Sequence, residues 1–191
     1  MAKAKAGRPR SEQARELILG ATHELLRENS GAGLNIEAIA RRAGVGKPTI
    51  YRWWPSLADV VLEALLQQAG EQITVPEYDT FGETLRGFLS VSMQAIEHGA
   101  GIHLRFLMAQ AQKDDEFRQR FESNFVTERR TVLRSIFLRA QENGQIPAGR
   151  NPDILVDMVF GAMWYRLLVG HAPMDDQFAA ELTEVVMAAL G

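Results

Sequence analysis

At 191 residues, with 46% hydrophobic and 24% charged, the chain is long enough to bury a core and ordinary for a globular protein. It has no cysteine, which excludes disulfides and thiolate chemistry, and it has neither a signal-peptide stretch nor a run of about 18 apolar residues, so a cytoplasmic location is expected. The net charge of −3 hides a division: residues 1–60 hold ten Lys or Arg against six Asp or Glu, and the remainder hold eleven against eighteen, so the N-terminal end is the one suited to phosphates.

Apolar residues recur at spacings of three and four throughout, and strand-like alternation is missing, which predicts an all-α chain of about nine helices. Residues 1–10 form a basic arm whose Lys3, Lys5, Arg8 and Arg10 either follow a minor groove or backbone or simply solubilise the chain. The first helix is expected over Ser11 to Asn29, with Leu17, Ile18, Ala21, Leu25 and Leu26 buried and Ser30 to Gly33 as its exit loop.

The segment from Asn35 to Ser56 is the most informative. Asn35 suits an N-cap, Glu37 complements the positive helix end, and Ile36, Ile39, Ala40 and Ala43 share one face. Gly44 permits a sharp turn, Val45 plugs its angle, and Pro48 fits the first turn of a second helix over Lys47 to Trp54 that Pro55 ends. Ser56 with Asp59 reads as a variant capping box opening the next helix. Two short helices about a glycine turn make a helix-turn-helix, giving a DNA-binding domain over residues 11–56. If the second helix enters a major groove, Lys47, Thr49, Tyr51, Arg52 and Trp53 face the DNA with Pro48 against a thymine methyl, while Ile50 and Trp54 face the core. The competing reading is a generic helical hairpin whose aromatics are all core.

Residues 57–191 are expected to form a ligand-binding and dimerisation domain. Its helices run from Leu57 to Gln72, Phe81 to Glu97, Ile102 to Gln112, Glu116 to Asn143, Asn151-Pro152 to Val169, and Asp175 or Asp176 to Leu190, with breaks at Val75-Pro76 and at His98 to Gly101. The helix after Pro152 is apolar around nearly its whole circumference, so both sides need cover: one in the domain core and the other on a second subunit, or both within a single subunit. Expected interface residues are Val159, Ala162, Arg166, Leu182, Val185 and Val186. Arg166, in a stretch with no other charge from Met158 to Pro173, needs a partner, either a ligand carboxylate or an acid across the dimer. Phe88, Met93, Leu104, Phe106, Leu107, Met108, Phe125, Trp164 and Tyr165 are the candidate ligand pocket, because methionines and aromatics line adaptable apolar cavities; ordinary core is the alternative for each.

Gly-Arg-Pro-Arg before the first helix, followed by Ile39 to Trp54, resembles the tetracycline-repressor (TetR) family over about residues 8–65. Met163 to Val169 resembles, more loosely, the C-terminal domain of one of its subgroups. The resemblance implies a homodimeric, ligand-responsive regulator, a repressor that binds a palindromic operator and is released by a small, largely apolar molecule. It places DNA contacts on Asn35, Lys47, Pro48, Thr49, Tyr51 and Trp53. Pro55 and Leu57 depart from the family pattern, which puts one phosphate contact at the start of the fourth helix in doubt. That fourth helix is expected to transmit the ligand signal. A helical adaptor that binds proteins and not DNA is the alternative. The four histidines form no metal or catalytic motif, and no phosphate loop or nucleophile elbow occurs, so neither an enzyme nor a cofactor or metal is expected.

Overall fold

The computed structural model describes residues 12–28, 33–70 and 78–191. All regular structure among them is helical. The basic arm with Arg8 and Arg10, the loop residues Ser30 to Ala32 and the break at Val75-Pro76 lie outside the described residues. Among the described residues, no helix is long and apolar enough to cross a membrane. The chain divides into two compact units between Ala64 and Leu65.

The N-terminal unit holds α1 (Glu12–Arg27), α2 (Ile36–Ala43), α3 (Lys47–Tyr51) and the start of α4 (Leu57–Gly70). Asn35 caps α2 by accepting from the Ala38 amide at 2.8 Å. Gly44 closes it at φ 67°, a left-handed conformation that costs glycine nothing. There the Val45 amide donates to the Ala40 carbonyl at 3.0 Å and the Gly44 amide to the Arg41 carbonyl at 3.4 Å, a Schellman closure. The expected second helix is shorter than the sequence pattern indicates: α3 ends at Tyr51, and Trp53 and Trp54 continue it only as a turn whose amides both donate to the Ile50 carbonyl. Ser56 and Asp59 form the anticipated cap, the Asp59 amide donating to the Ser56 hydroxyl and that hydroxyl to the Asp59 carboxylate. Ile18, Leu19, Ile39, Ile50, Trp54 and Val60 make the core of this unit. Both Arg15 and the Trp54 indole N–H donate to the Glu63 carboxylate at its edge.

The C-terminal unit contains α5 (Phe81–Ala95), α6 (Gly101–Ala111), α7 (Asp115–Phe121), α8 (Thr127–Glu142), α9 (Pro152–Val169) and α10 (Asp176–Leu190). Thr80, Asp114, Asn151 and Asp175 cap α5, α7, α9 and α10 by accepting from first-turn amides. The break expected at His98 to Gly101 is present: Gly99 adopts φ 126°, outside helical geometry, and kinks the chain between α5 and α6. The long helix expected over Glu116 to Asn143 runs on through α7 and α8 but holds a π-helical turn at Glu122–Val126. Phe81, Leu89, Phe137, Val156, Val159 and Val186 lie in the core that α5, α8, α9 and α10 share.

Candidate functional site

In the N-terminal unit the division of α3 into two faces follows from Ile50 and Trp54, both buried in the core. That anchoring leaves Lys47, Pro48, Tyr51 and Arg52 exposed, with Tyr51 55% exposed, and Thr49 half-buried. Phenol, hydroxyl, ammonium and guanidinium groups are thus held on the outside of a helix too short to bend. Asn35 is exposed, but its side chain is spent on the cap: Oδ1 accepts from Ala38, and Nδ2 donates to the Gly33 carbonyl at 3.0 Å.

Trp53 departs from its expected place. Its ring is half-buried against the core, 6.0 Å from that of Trp54, with the Arg15 guanidinium 5.8 Å from its centroid, and its indole nitrogen is buried. Residue 53 stands three beyond buried Ile50, a helical spacing that puts it on the core side of the turn. Of the groove-facing residues expected, Trp53 is therefore the one the fold withdraws.

Two ion pairs shape the charge of this unit. Lys47 Nζ lies 2.7 Å from Glu37 Oε1, which holds the Glu37 carboxyl below and the Lys47 ammonium above their ordinary pKa values. Arg42 reaches Glu28 at 2.9 Å and Glu24 at 3.1 Å, tying α2 to α1; its hydrogen bond holds the Glu28 carboxyl below the usual range. Both pairs are exposed, so each adds little stability. Their effect is to offset part of the positive charge of this unit.

The C-terminal unit contains a partly open, largely apolar cavity of about 100 Å³. Phe88, Leu104, Phe125 and Trp164 line it as expected. Met93 and Leu107 do not; they are fully buried in packed core. Phe106 and Met108 are half-buried outside the lining, and Tyr165 is 63% exposed with its ring 5.1 Å from His171. Sequence reasoning missed Ile96, Ala100, Val126, Arg129, Phe160 and Met163, which complete the wall with neighbours. Both irregularities of the unit feed it: Ile96 and Ala100 flank the Gly99 kink, and Phe125 and Val126 come from the π-helical turn, a kind of turn common at functional sites.

The expected interface residues also sort differently. Val159, Leu182 and Val186 are buried in the unit's own core and cannot present a face to a partner. Arg166 is satisfied within its own chain: its guanidinium carbon lies 3.5 Å from the Phe178 ring centroid and Nη1 donates to the Pro173 carbonyl at 3.0 Å. Ala162 is half-buried and Val185 is exposed. Apart from Val169 at its end, the large apolar residues that α9 exposes are Ile154, Met158, Tyr165 and Leu168, with Gly161 among them. Their spacings of four, three, four and three put them in one stripe, the spacing of a helix-pairing seam. That periodicity stands in the sequence, but an almost wholly apolar helix hides which of its stripes faces out.

A capped helix, a glycine turn and a second helix displaying cationic and hydroxyl groups define a helix-turn-helix protein of the DNA-binding class, joined to a helical unit with an apolar cavity. The family pattern described as "Bacterial regulatory proteins, tetR family" matches residues 18–64, and that described as "Tetracyclin repressor-like, C-terminal domain" matches residues 75–186. The chain belongs to the TetR family of transcriptional regulators. It is 25% identical over 178 residues to the uncharacterized HTH-type transcriptional regulator YdeS of Bacillus subtilis, covering 93% of this chain and 90% of that one. The regulator AqdR of Rhodococcus erythropolis is 24% identical over 167 residues, 87% of this chain and 79% of its own. Among solved structures, the TetR family transcription regulator SCO0332 superposes with a TM-score of 0.75 at 28% identity, over 94% of this chain and 99% of that one. FadR from Bacillus subtilis in complex with stearoyl-CoA shares the fold, with a TM-score of 0.73 at 18% identity over 92% and 99% of the two chains. Those named relatives are regulators of transcription, the coarse function this chain shares.

Proposed function

We propose that this chain is a cytoplasmic repressor that occupies a palindromic operator as a homodimer and leaves it when a small molecule enters the C-terminal cavity. The observation that carries the reading is the two-faced α3, in which buried Ile50 and Trp54 fix an outer surface of Lys47, Pro48, Thr49, Tyr51 and Arg52. Lys47 and Arg52 supply charge for phosphates or guanine edges, Thr49 and Tyr51 supply hydroxyl donors, and Pro48 an apolar contact. One such head reads only a few base pairs, so a two-fold site needs two heads. The exposed α9 stripe of Ile154, Met158, Gly161, Tyr165 and Leu168 supplies a surface for the second copy, with Val185 of α10 also exposed. FadR, which shares the fold, holds stearoyl-CoA, an apolar chain on a polar carrier, and that precedent supports an effector with an apolar part here. Selecting bound sequences from random duplex DNA tests the reading: a palindromic consensus bound with steep salt dependence is expected. No enrichment of any duplex sequence would remove it.

A further inference from the structure

Among the described residues, one cation lining the effector cavity makes no ion pair. Arg129, in the first turn of α8, lines the cavity with its guanidinium carbon 5.5 Å from the Phe125 ring centroid. No Asp or Glu is among the lining residues, and neighbouring Arg130 is already engaged by Asp157. Burial pushes the Arg129 guanidinium below its ordinary pKa, with the nearby Glu128 charge opposing this only in part. An arginine stays ionised all the same, so a positive charge sits half-desolvated at an apolar wall.

That arrangement discriminates between occupants. A neutral apolar molecule would strip more water from the guanidinium and return nothing, which costs free energy. A carboxylate at the mouth would accept two parallel N–H bonds from it, a pairing stronger in low dielectric than in water. The interior then has to be filled by carbon: Phe88, Phe160, Met163 and Trp164 offer no charge. A cavity of about 100 Å³ suits a single ring or a short chain.

Resting on the cavity being the effector site, we propose that the effector is an amphipathic organic carboxylate whose apolar body, of ring or short-chain size, fills the cavity and whose carboxylate pairs with Arg129. Arg129 stands three residues beyond the π-helical turn that supplies Phe125 and Val126, so the anion engages the wall at its most irregular point.

The test uses the full chain and two matched probes, 3-phenylpropionate and 3-phenylpropanol, titrated calorimetrically and by intrinsic tryptophan fluorescence, to which Trp164 in the cavity wall contributes. The wild type is expected to bind the acid about ten- to a hundredfold more tightly than the alcohol. Arg129→Gln is expected to remove that preference by weakening the acid while the alcohol, relieved of desolvating the guanidinium, binds at least as tightly as before, and Arg129→Lys, which keeps the charge, to retain much of it. Equal binding of acid and alcohol by the wild type, or acid binding unmoved in Arg129→Gln, would overturn the carboxylate assignment. Ala95→Phe, which fills the cavity, separates the two ideas: if it abolishes binding of both probes, the cavity stands as the site whatever becomes of Arg129. Retained binding in Ala95→Phe removes the cavity reading and the proposal with it. Failure of both probes to bind the wild type overturns the proposal. Should Arg129→Gln not fold, judged by its helical circular dichroism, the wild-type preference and Arg129→Lys decide.

Discussion

Lys47 at the start of α3 and Glu37 in the first turn of α2 are joined across the glycine turn by a 2.7 Å ion pair, so on the proposed reading a cation of the DNA-facing surface is partly neutralised before DNA arrives. To meet a phosphate, Lys47 has to exchange one carboxylate for another anion, while Glu37 remains to repel the backbone.

Glu37→Gln is therefore expected to strengthen duplex binding, by about three- to tenfold at low salt, since it removes one anion and releases Lys47. The gain should shrink at higher ionic strength. Fluorescence anisotropy with a labelled duplex at two salt concentrations measures it, and Glu37→Gln made in a Lys47→Ala background should show a smaller gain.

Tyr51→Ala removes an exposed phenol from the outer face of α3 without touching the core that Ile50 and Trp54 fill. The expected result is a loss of about tenfold in operator affinity with an unchanged melting temperature. Trp53→Ala should behave differently: its half-buried ring is part of the packing, so loss of stability is expected to accompany any loss of binding.

The head of this protein is legible in its sequence because each of its constraints is local. The Asn35 cap, the Gly44 turn, Pro48 and the four-residue spacing of Ile50 and Trp54 all act within a few residues, and each is seen in the fold. Trp53, three residues beyond Ile50 and next to Trp54, sits at the edge between the two faces, where its half-buried place is decided by packing. The cavity is harder for a definite reason: a π-helical turn adds a residue and rotates the apolar stripe beyond it. Phe106 and Met108 are pointed to by side-chain type alone, which does not tell a lining residue from its neighbours, and they lie outside the wall. In α9 the difficulty is an excess of signal. Val159 and Met158 are equally apolar neighbours, and only packing reveals that the first is buried and the second exposed.

His23 gives a pH prediction. Burial holds its imidazole below the ordinary value of 6.5, Arg27 adding to the effect and Glu24 opposing it. Between the folded value and 6.5 the unfolded chain binds more protons than the folded one, so stability rises with pH through that window. The contribution is complete above 6.5 and lost as pH falls through the folded value. Chemical denaturation from pH 7.5 to 5 should show a declining midpoint, and His23→Gln should flatten the decline.

Neighbours on α9 offer the sharpest contrast between folding and assembly. Met158 is 44% exposed on the stripe with Ile154, Tyr165 and Leu168, whereas Val159 is fully buried among core residues. An aspartate at an exposed apolar position costs the isolated unit little, yet at the centre of a helix-pairing seam it buries an unpaired charge. Met158→Asp is accordingly expected to give a folded monomer in sedimentation velocity, with unchanged helical circular dichroism and weakened binding to a two-fold duplex. Val159→Asp buries the charge in the unit itself and is expected to cost about 3 kcal/mol or more, with unfolding as the result. If Met158→Asp sediments as the wild type does, the exposed stripe is not where two copies meet.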